Sequence, residues 1–122
     1  MFKSVIAGYS RSPFTMARKG ALIDIKPVNM LAEVVKNLVK KTNVNKHDIE
    51  DIVVGCAFQV GEQCFNIGKL VTFLTDMEIK TSGMTVDRWC GSSMEAIHTA
   101  AGKIAMGSGK VFICGGVESM TR

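Results

Sequence analysis

The clearest chemical signal in the sequence is a cysteine between a bulky aromatic and three small residues, in the stretch VDRWCGSSME, residues 86–95. The pattern predicts that a strand ends just before Cys90 and that a helix begins just after it. A helix start carries unpaired N–H groups and the positive end of the helix dipole, and both stabilise a thiolate. Gly91, Ser92 and Ser93 leave a substrate room to reach the sulfur. Cys90 is therefore the candidate nucleophile, and its backbone N–H a candidate oxyanion donor.

A packing role is the alternative for any free cysteine, because free cysteines are among the most buried residues, so position alone leaves both roles open for Cys90. Cys56 and Cys114 end apolar strands, where a place in the core is expected. Cys64 lies in a loop and receives no role. The four cysteines show no C-x-x-C spacing, so we expect neither a zinc site nor a disulfide framework, and we interpret them as reduced thiols of a cytoplasmic protein.

The two histidines are poor candidates for a base beside this thiol. His98 follows Cys90 by eight residues, and such a helical separation is about 12 Å along the axis. His47 lies in the polar run NVNKHDIED and is expected at the surface. The sequence therefore places no base next to Cys90.

Composition limits the other function classes. A chain of 122 residues with 47% apolar content is long enough for one domain with its own core. The net charge of +4 suits an anionic ligand, but no cluster of basic and aromatic residues indicates nucleic-acid binding. We find neither an apolar run long enough to span a membrane nor a signal peptide, which also favours a cytoplasmic protein.

Strand and helix patterns alternate along the chain. Three helices are predicted. The first runs from Pro27 to the TNVN segment, the second begins after a cap at Asn66, and the third covers residues 91–106. Apolar, β-branched segments predict four strands, at residues 3–9, 51–56, 83–89 and 110–114. Strands separated by helices pair in parallel, which predicts a layered βαβαβαβ sheet with helices on both faces. Sites in such sheets gather at the carboxyl ends of the strands, where Cys90 lies.

The third predicted helix carries the small residues Ala96, Ala100, Ala101 and Gly102. Small side chains let a helix lie close to its neighbours. We therefore expect this helix to be buried and to hold Cys90 rigidly.

The segment VDRWCGSSMEAIHTAAGKIAMGSGKVFICGGVESM resembles the acyl-enzyme signature of the thiolases, which make or cleave 3-oxoacyl-CoA by a Claisen reaction. The resemblance continues through the stretches RSPF, KGALIDIKP, DIVVGCAF and GEQCFNIGKL, and so covers essentially the whole chain. It implies that Cys90 carries the acyl group as a thioester and that the substrate is an acyl-CoA. It also implies that no metal or redox cofactor is needed and that the enzyme is a homodimer or a dimer of dimers.

The same resemblance implies that further catalytic parts lie elsewhere. Thiolases carry an Asn-Glu-Ala-Phe segment, a Gly-His-Pro histidine and a second cysteine in a Cys-x-Gly context, largely in their carboxyl-terminal half. The first two do not occur in this sequence, and Cys56, Cys64 and Cys114 are not taken as the second cysteine. Residues 1–122 are accordingly interpreted as an amino-terminal thiolase domain without the loop domain and the carboxyl-terminal domain. Such a chain is expected to be inactive alone, whether it arises by truncation, by proteolysis or from a divided gene.

Two functions stay open. The chain is part of an acyltransferase whose site is completed elsewhere, or it is a non-catalytic remnant that binds acyl-CoA or protein. The CGSS run at Cys90 favours the first, and the lack of a base leaves the second open. A β-ketoacyl synthase shares the architecture, but the stretches CGSSMEAIH and CGGVESM resemble thiolases more. Residues around Trp89 and Met94 favour the degradative group, and the acyl chain length is undetermined.

Overall fold

The computed structural model describes residues 3–122. Within that range three helices alternate with three strands: α1 (Pro27–Thr42), β1 (Ile49–Gly55), α2 (Ile67–Leu74), β2 (Ser82–Val86), α3 (Ser92–Ala105) and β3 (Val111–Gly116). Single 3₁₀ turns precede β1, α2 and α3, at Lys46–Asp48, Gly61–Gln63 and Trp89–Gly91. The predicted α/β class is confirmed. No helix in the described part of the chain is both long and apolar enough to cross a bilayer.

The sheet is parallel, with β1 in the centre and the order β2-β1-β3. Val53 of β1 lies opposite Met84 on one side and Cys114 on the other. Because every pairing is parallel, the carboxyl ends of all three strands meet at one edge of the sheet.

Helices cover both faces of the sheet, as predicted. On one face, Ile52, Val54 and Cys56 belong to a buried core with α1 and α2, whose other members include Leu31, Val35, Ile67, Val71 and Ile113. On the other face, Asp51 and Gly55 contact α3 through Lys103 and Ser92. β1 is thus buried between two helical layers, as expected for the central strand of a parallel sheet.

The helix ends follow from local sequence. Pro27 is the first residue of α1, where its fixed φ suits a helix and its missing N–H is not needed. α1 ends at Thr42, and the next residue, Asn43, caps it in the left-handed conformation with φ of 53°. Asn66 caps α2 by accepting a hydrogen bond from the Lys69 N–H at 3.1 Å, and its amide donates to the Gly83 carbonyl at 2.7 Å. This cap therefore also ties α2 to β2.

The predicted strand at residues 3–9 does not form. The segment lies along α1 instead: Gly8 packs against Thr42, and Lys41 Nζ donates to the Tyr9 carbonyl at 3.2 Å. Val5 and Ile6 are 84% and 80% exposed. An apolar, β-branched pattern is not sufficient for a strand, because a strand also needs a neighbouring edge to bond with. The segment uses neither edge of the sheet, so this part of the βαβαβαβ prediction is wrong.

The small residues of α3 are only partly explained by close packing. Ala96 and Ala100 are buried against the sheet, as predicted. Gly102 is exposed instead, and a Cβ added there would have no neighbour within 4 Å. The close helix contact occurs in α2, where Gly68 lies against the backbone of Met84 and has no room for a Cβ.

These two glycines give a matched test of the packing. We expect Gly68→Ala to lower the free energy of unfolding by about 1–3 kcal/mol, because α2 must move away from β2. We expect Gly102→Ala to raise it by about 0.4–1 kcal/mol, because alanine restricts the unfolded chain without a clash. Urea unfolding followed by circular dichroism measures both. Similar shifts for the two variants would contradict the contact between α2 and β2.

Candidate active site

Cys90 lies in the 3₁₀ turn Trp89–Gly91, between the end of β2 and the start of α3, and its side chain is exposed. The predicted position at the start of a helix is confirmed. The strand before it ends at Val86 rather than at residue 89, so that a short turn separates the strand from the thiol. This turn places Cys90 at the carboxyl edge of the sheet.

The turn around Cys90 has an unusual backbone. Trp89 has φ of 49°, in the left-handed region that bulky residues seldom adopt, and such strain costs about 1–3 kcal/mol. Hydrogen bonds oppose it: the Trp89 N–H donates to Asp87 Oδ1 at 2.8 Å, and Ser92 Oγ donates to the Trp89 carbonyl at 2.6 Å. Ser92 Oγ also accepts from the Arg88 N–H at 2.8 Å. The turn is therefore strained but held at several points.

Glycines at the ends of two strands bring α3 against the sheet. Gly55 ends β1 and lies against the backbone of Ser92, while Gly116 ends β3 and lies against the side chain of Ser93. A Cβ at either glycine would overlap these atoms. The start of α3, and with it Cys90, is therefore fixed relative to the strand ends.

A cleft of about 650 Å³ lies beside Cys90, and this volume is in the range of small-molecule sites. Cys90, Ser92 and Ser93 line it together with apolar side chains that include Pro13, Phe14, Met16, Leu22, Ile25, Met30, Phe58 and Trp89. The rings of Phe58 and Trp89 meet edge to face, with centroids 6.4 Å apart. The cleft thus gives a ligand with an apolar part access to the thiol.

Two polar residues that the sequence did not identify, Glu118 and Gln63, connect the loops beside the cleft. Glu118, just after β3, accepts hydrogen bonds from the N–H groups of Ala57 at 2.8 Å and Phe58 at 3.3 Å. Gln63 is 1% exposed; it donates to the Phe58 carbonyl at 3.1 Å and accepts from the Ser119 N–H at 2.6 Å. Together they join the loop after β1 to the loop after β3. Apart from the Cys56 thiol, which lies 3.8 Å from Glu118 Oε1, the partners named here are backbone groups, which leave no sequence signature.

Two of the other three cysteines lie in settings that suppress the thiolate. Cys56 is buried, and its burial, followed by the nearby charge of Glu118, raises its pKa to about 11. Burial and then the charge of Asp51 raise the pKa of Cys114 to about 11 as well. Cys64 is half-buried. Cys90 is the exposed thiol of the four, as expected for the candidate nucleophile.

The histidines lie away from this cleft. His98 is on the exposed side of α3, in a smaller surface depression with Arg88, Met94 and Glu95. His47 is exposed in the 3₁₀ turn before β1. Neither lines the cleft beside Cys90, in agreement with the sequence analysis.

The fold and the site define a class of protein: a layered α/β domain with an accessible cysteine where a strand gives way to a helix. The chain belongs to the thiolase family, since the family model "Thiolase, N-terminal domain" matches residues 4–122. The resemblance noted in the sequence is thereby confirmed.

Similar sequences and a solved structure support the assignment to this family. The chain is 44% identical over 117 residues to a 3-ketoacyl-CoA thiolase of Marinomonas sp. (strain MWYL1), and covers 30% of that protein with 95% of its own length. A 3-ketoacyl-CoA thiolase of Psychrobacter sp. (strain PRwf-1) is 41% identical over 116 residues, with the same coverage. The crystal structure of the Bacillus anthracis acetyl-CoA acetyltransferase superposes with a TM-score of 0.91 at 31% identity, over 98% of this chain and 30% of that one. The chain thus spans about 30% of the length of these relatives.

The contrast between the cysteines predicts selective labelling. In the folded protein we expect a brief pulse of iodoacetamide near pH 8 to alkylate Cys90 well before Cys56 and Cys114. A thiol with a pKa of about 11 is ionised at that pH in only roughly one molecule in 10³, and burial also excludes the reagent. Peptide mapping by mass spectrometry measures each site, with Cys90→Ser as control. Equal labelling of the three sites would show that Cys90 has no privileged reactivity.

Proposed function

We propose that this protein is the amino-terminal part of an acyl-CoA acyltransferase of the thiolase type, which forms or cleaves 3-oxoacyl-CoA through an acyl thioester on Cys90. The observation that carries the proposal is an exposed thiol at the start of α3, facing an apolar cleft, in a chain of the thiolase family. The names of the relatives, 3-ketoacyl-CoA thiolase and acetyl-CoA acetyltransferase, both refer to acyl-CoA compounds.

A cysteine suits this reaction because acyl transfer between two thiols is nearly balanced in energy. Cys90 Sγ attacks the thioester carbonyl, the coenzyme A thiolate leaves, and the acyl group stays on the enzyme as a thioester. A carbon nucleophile then takes the acyl group, and the thiolate of Cys90 is released. A serine ester would be a poorer acyl donor. The proposed reaction uses coenzyme A thioesters as substrates and needs no metal or redox cofactor.

The Cys90 N–H is the proposed donor to the oxyanion that forms during acyl transfer. The neighbouring N–H groups are already engaged: that of Trp89 with Asp87 Oδ1 at 2.8 Å and that of Gly91 with the Arg88 carbonyl at 2.9 Å. Apart from bonds internal to its own turn, the Cys90 N–H has no backbone acceptor among residues 3–122. Donors positioned toward a developing oxyanion are a major source of rate enhancement in acyl transfer.

Carbon–carbon bond formation also needs a base, which we assign to the rest of the enzyme. His47 and His98 lie outside the cleft, neither stands in the family's Gly-His-Pro context, and we assign the second cysteine to the rest of the enzyme as well. We propose that residues 1–122 act as an amino-terminal domain beside the remaining thiolase portion, on the same chain or on a second subunit. The free thiols suit a cytoplasmic location.

We further propose that the protein assembles as a homodimer or a tetramer. In the described part of the chain β2 pairs with a strand on one side only, and an open strand edge favours pairing with another chain. Light scattering should therefore report a mass above that of a monomer. A stable, well-folded monomer at micromolar concentration would contradict this assembly.

The runner-up function is a non-catalytic domain that binds acyl-CoA or protein. The lack of a histidine in the cleft beside Cys90 favours it, since the carboxylate that lines the cleft, Glu118, already accepts hydrogen bonds from backbone N–H groups. It differs from the first proposal in one measurable respect, since a binding domain does not accept an acyl group on Cys90.

The acyl-transfer half-reaction tests the proposal. We expect the 122-residue chain to take an acetyl group slowly from acetyl-CoA onto Cys90, seen as an added acetyl mass on its peptide. We expect no acetoacetyl-CoA, because loss of a general base slows such steps by about 10²- to 10⁴-fold, and loss of oxyanion stabilisation by roughly 10²- to 10³-fold more.

Reconstitution supplies the controls. Addition of the carboxyl-terminal portion of a related thiolase should restore turnover, and Cys90→Ser in the restored complex should abolish it. Thiolysis at full rate by the chain alone would show that the base lies within these residues. If Cys90 takes up no acetyl group in the restored complex either, the binding function is supported instead.

A further inference from the structure

We propose that Asp87 is a positioning residue for Cys90, because its carboxylate holds the left-handed backbone at Trp89 on which the placement of the thiol depends. The inference rests on the proposed role of Cys90 as the nucleophile. It starts from the φ of 49° at Trp89, a conformation that a bulky aromatic residue adopts only when its surroundings impose it. This residue directly precedes Cys90, so its backbone conformation sets the direction of the chain at Cys90.

The Asp87 carboxylate contacts the turn on both sides of Cys90. Oδ1 accepts a hydrogen bond from the Trp89 N–H at 2.8 Å and lies 3.4 Å from Ser92 Oγ. Ser92 is 4% exposed, so that its hydroxyl forms a fixed anchor inside the fold. Asp87 therefore joins the strained residue before the thiol to the buried first residue of α3.

Packing of the indole ring is the competing explanation for the strain at Trp89. The residue is 74% exposed, and its aromatic partner Phe58 meets it edge to face at 6.4 Å. A largely exposed ring gains little from burial, so it does not offset an unfavourable backbone conformation. The hydrogen bonds from the turn to Asp87 and Ser92 are the stronger restraint.

Three variants of the 122-residue chain separate geometry from charge. Asp87→Ala removes the acceptor and should slow iodoacetamide alkylation of Cys90 by about 2- to 10-fold, the effect of losing one ordinary hydrogen bond. Asp87→Asn keeps an acceptor oxygen without the charge and should stay within about twofold of the parent, because the two side chains cap backbone N–H groups almost equally. Adding Trp89→Gly to Asp87→Ala should restore the rate, because glycine adopts positive φ without strain.

Cys64 in the same molecule serves as the internal reference, and its rate should be unchanged in all variants. The fluorescence of Trp89, the one tryptophan of the sequence, gives a second readout. We expect acrylamide quenching to change in Asp87→Ala and to match the parent in Asp87→Asn. A role of Asp87 in overall stability alone would slow no cysteine selectively.

The outcomes distinguish this inference from the proposed function. If Cys90 of the parent chain reacts no faster than Cys56, the proposed nucleophile is wrong. If it reacts faster but Asp87→Ala leaves its rate unchanged, only the role of Asp87 is overturned. If Asp87→Ala unfolds the chain, which labelling of Cys56 would reveal, the double variant decides: a parental rate supports the positioning role, and a slowed rate overturns it.

Discussion

Contact between the first turn of α3 and the ends of two strands is the constraint on which the site depends. Gly55 and Gly116 have no side chain, so Ser92 and Ser93 contact the strand ends directly. The start of the helix therefore lies against the carboxyl edge of the sheet. Any larger residue at either glycine would push α3 outward and carry Cys90 with it. Close packing of this kind transmits small displacements rather than absorbing them.

The far end of α3 is fixed by charge. Lys103, in the last turn of the helix, forms an ion pair with Asp51 of β1. The Asp51 side chain is 3% exposed, and breaking a buried pair by removing one partner is strongly destabilising because the remaining charge stays buried. The helix is thus held by backbone contact at its start and by an ion pair near its end, and it cannot slide along the sheet without losing one of them.

The parts of the molecule that the sequence predicted are those specified by local patterns. α1 follows from Pro27 and a helical spacing of apolar residues, α2 from the cap at Asn66, and the place of Cys90 from a β-branched segment followed by small residues. The strand at residues 3–9 was predicted wrongly, because its pattern describes the segment but not the partner that a strand requires. The open side of Gly102 was missed for the same reason: a small residue shows that close packing is permitted, not that a neighbour is there.

The candidate site could be predicted only as far as the nucleophile. Glu118 and Gln63 organise the surrounding loops through backbone N–H and carbonyl groups, which every residue type carries. The strain at Trp89 is equally invisible in the sequence, since no residue type there indicates a positive φ. What makes Cys90 distinctive is therefore its exposure and surroundings in the folded chain, which the local sequence does not specify. Burial and nearby carboxylates raise the pKa of Cys56 and Cys114. Cys90 differs from them because it lies exposed at the carboxyl edge of the sheet, where the proposed reaction transfers an acyl group to it from a second thiol.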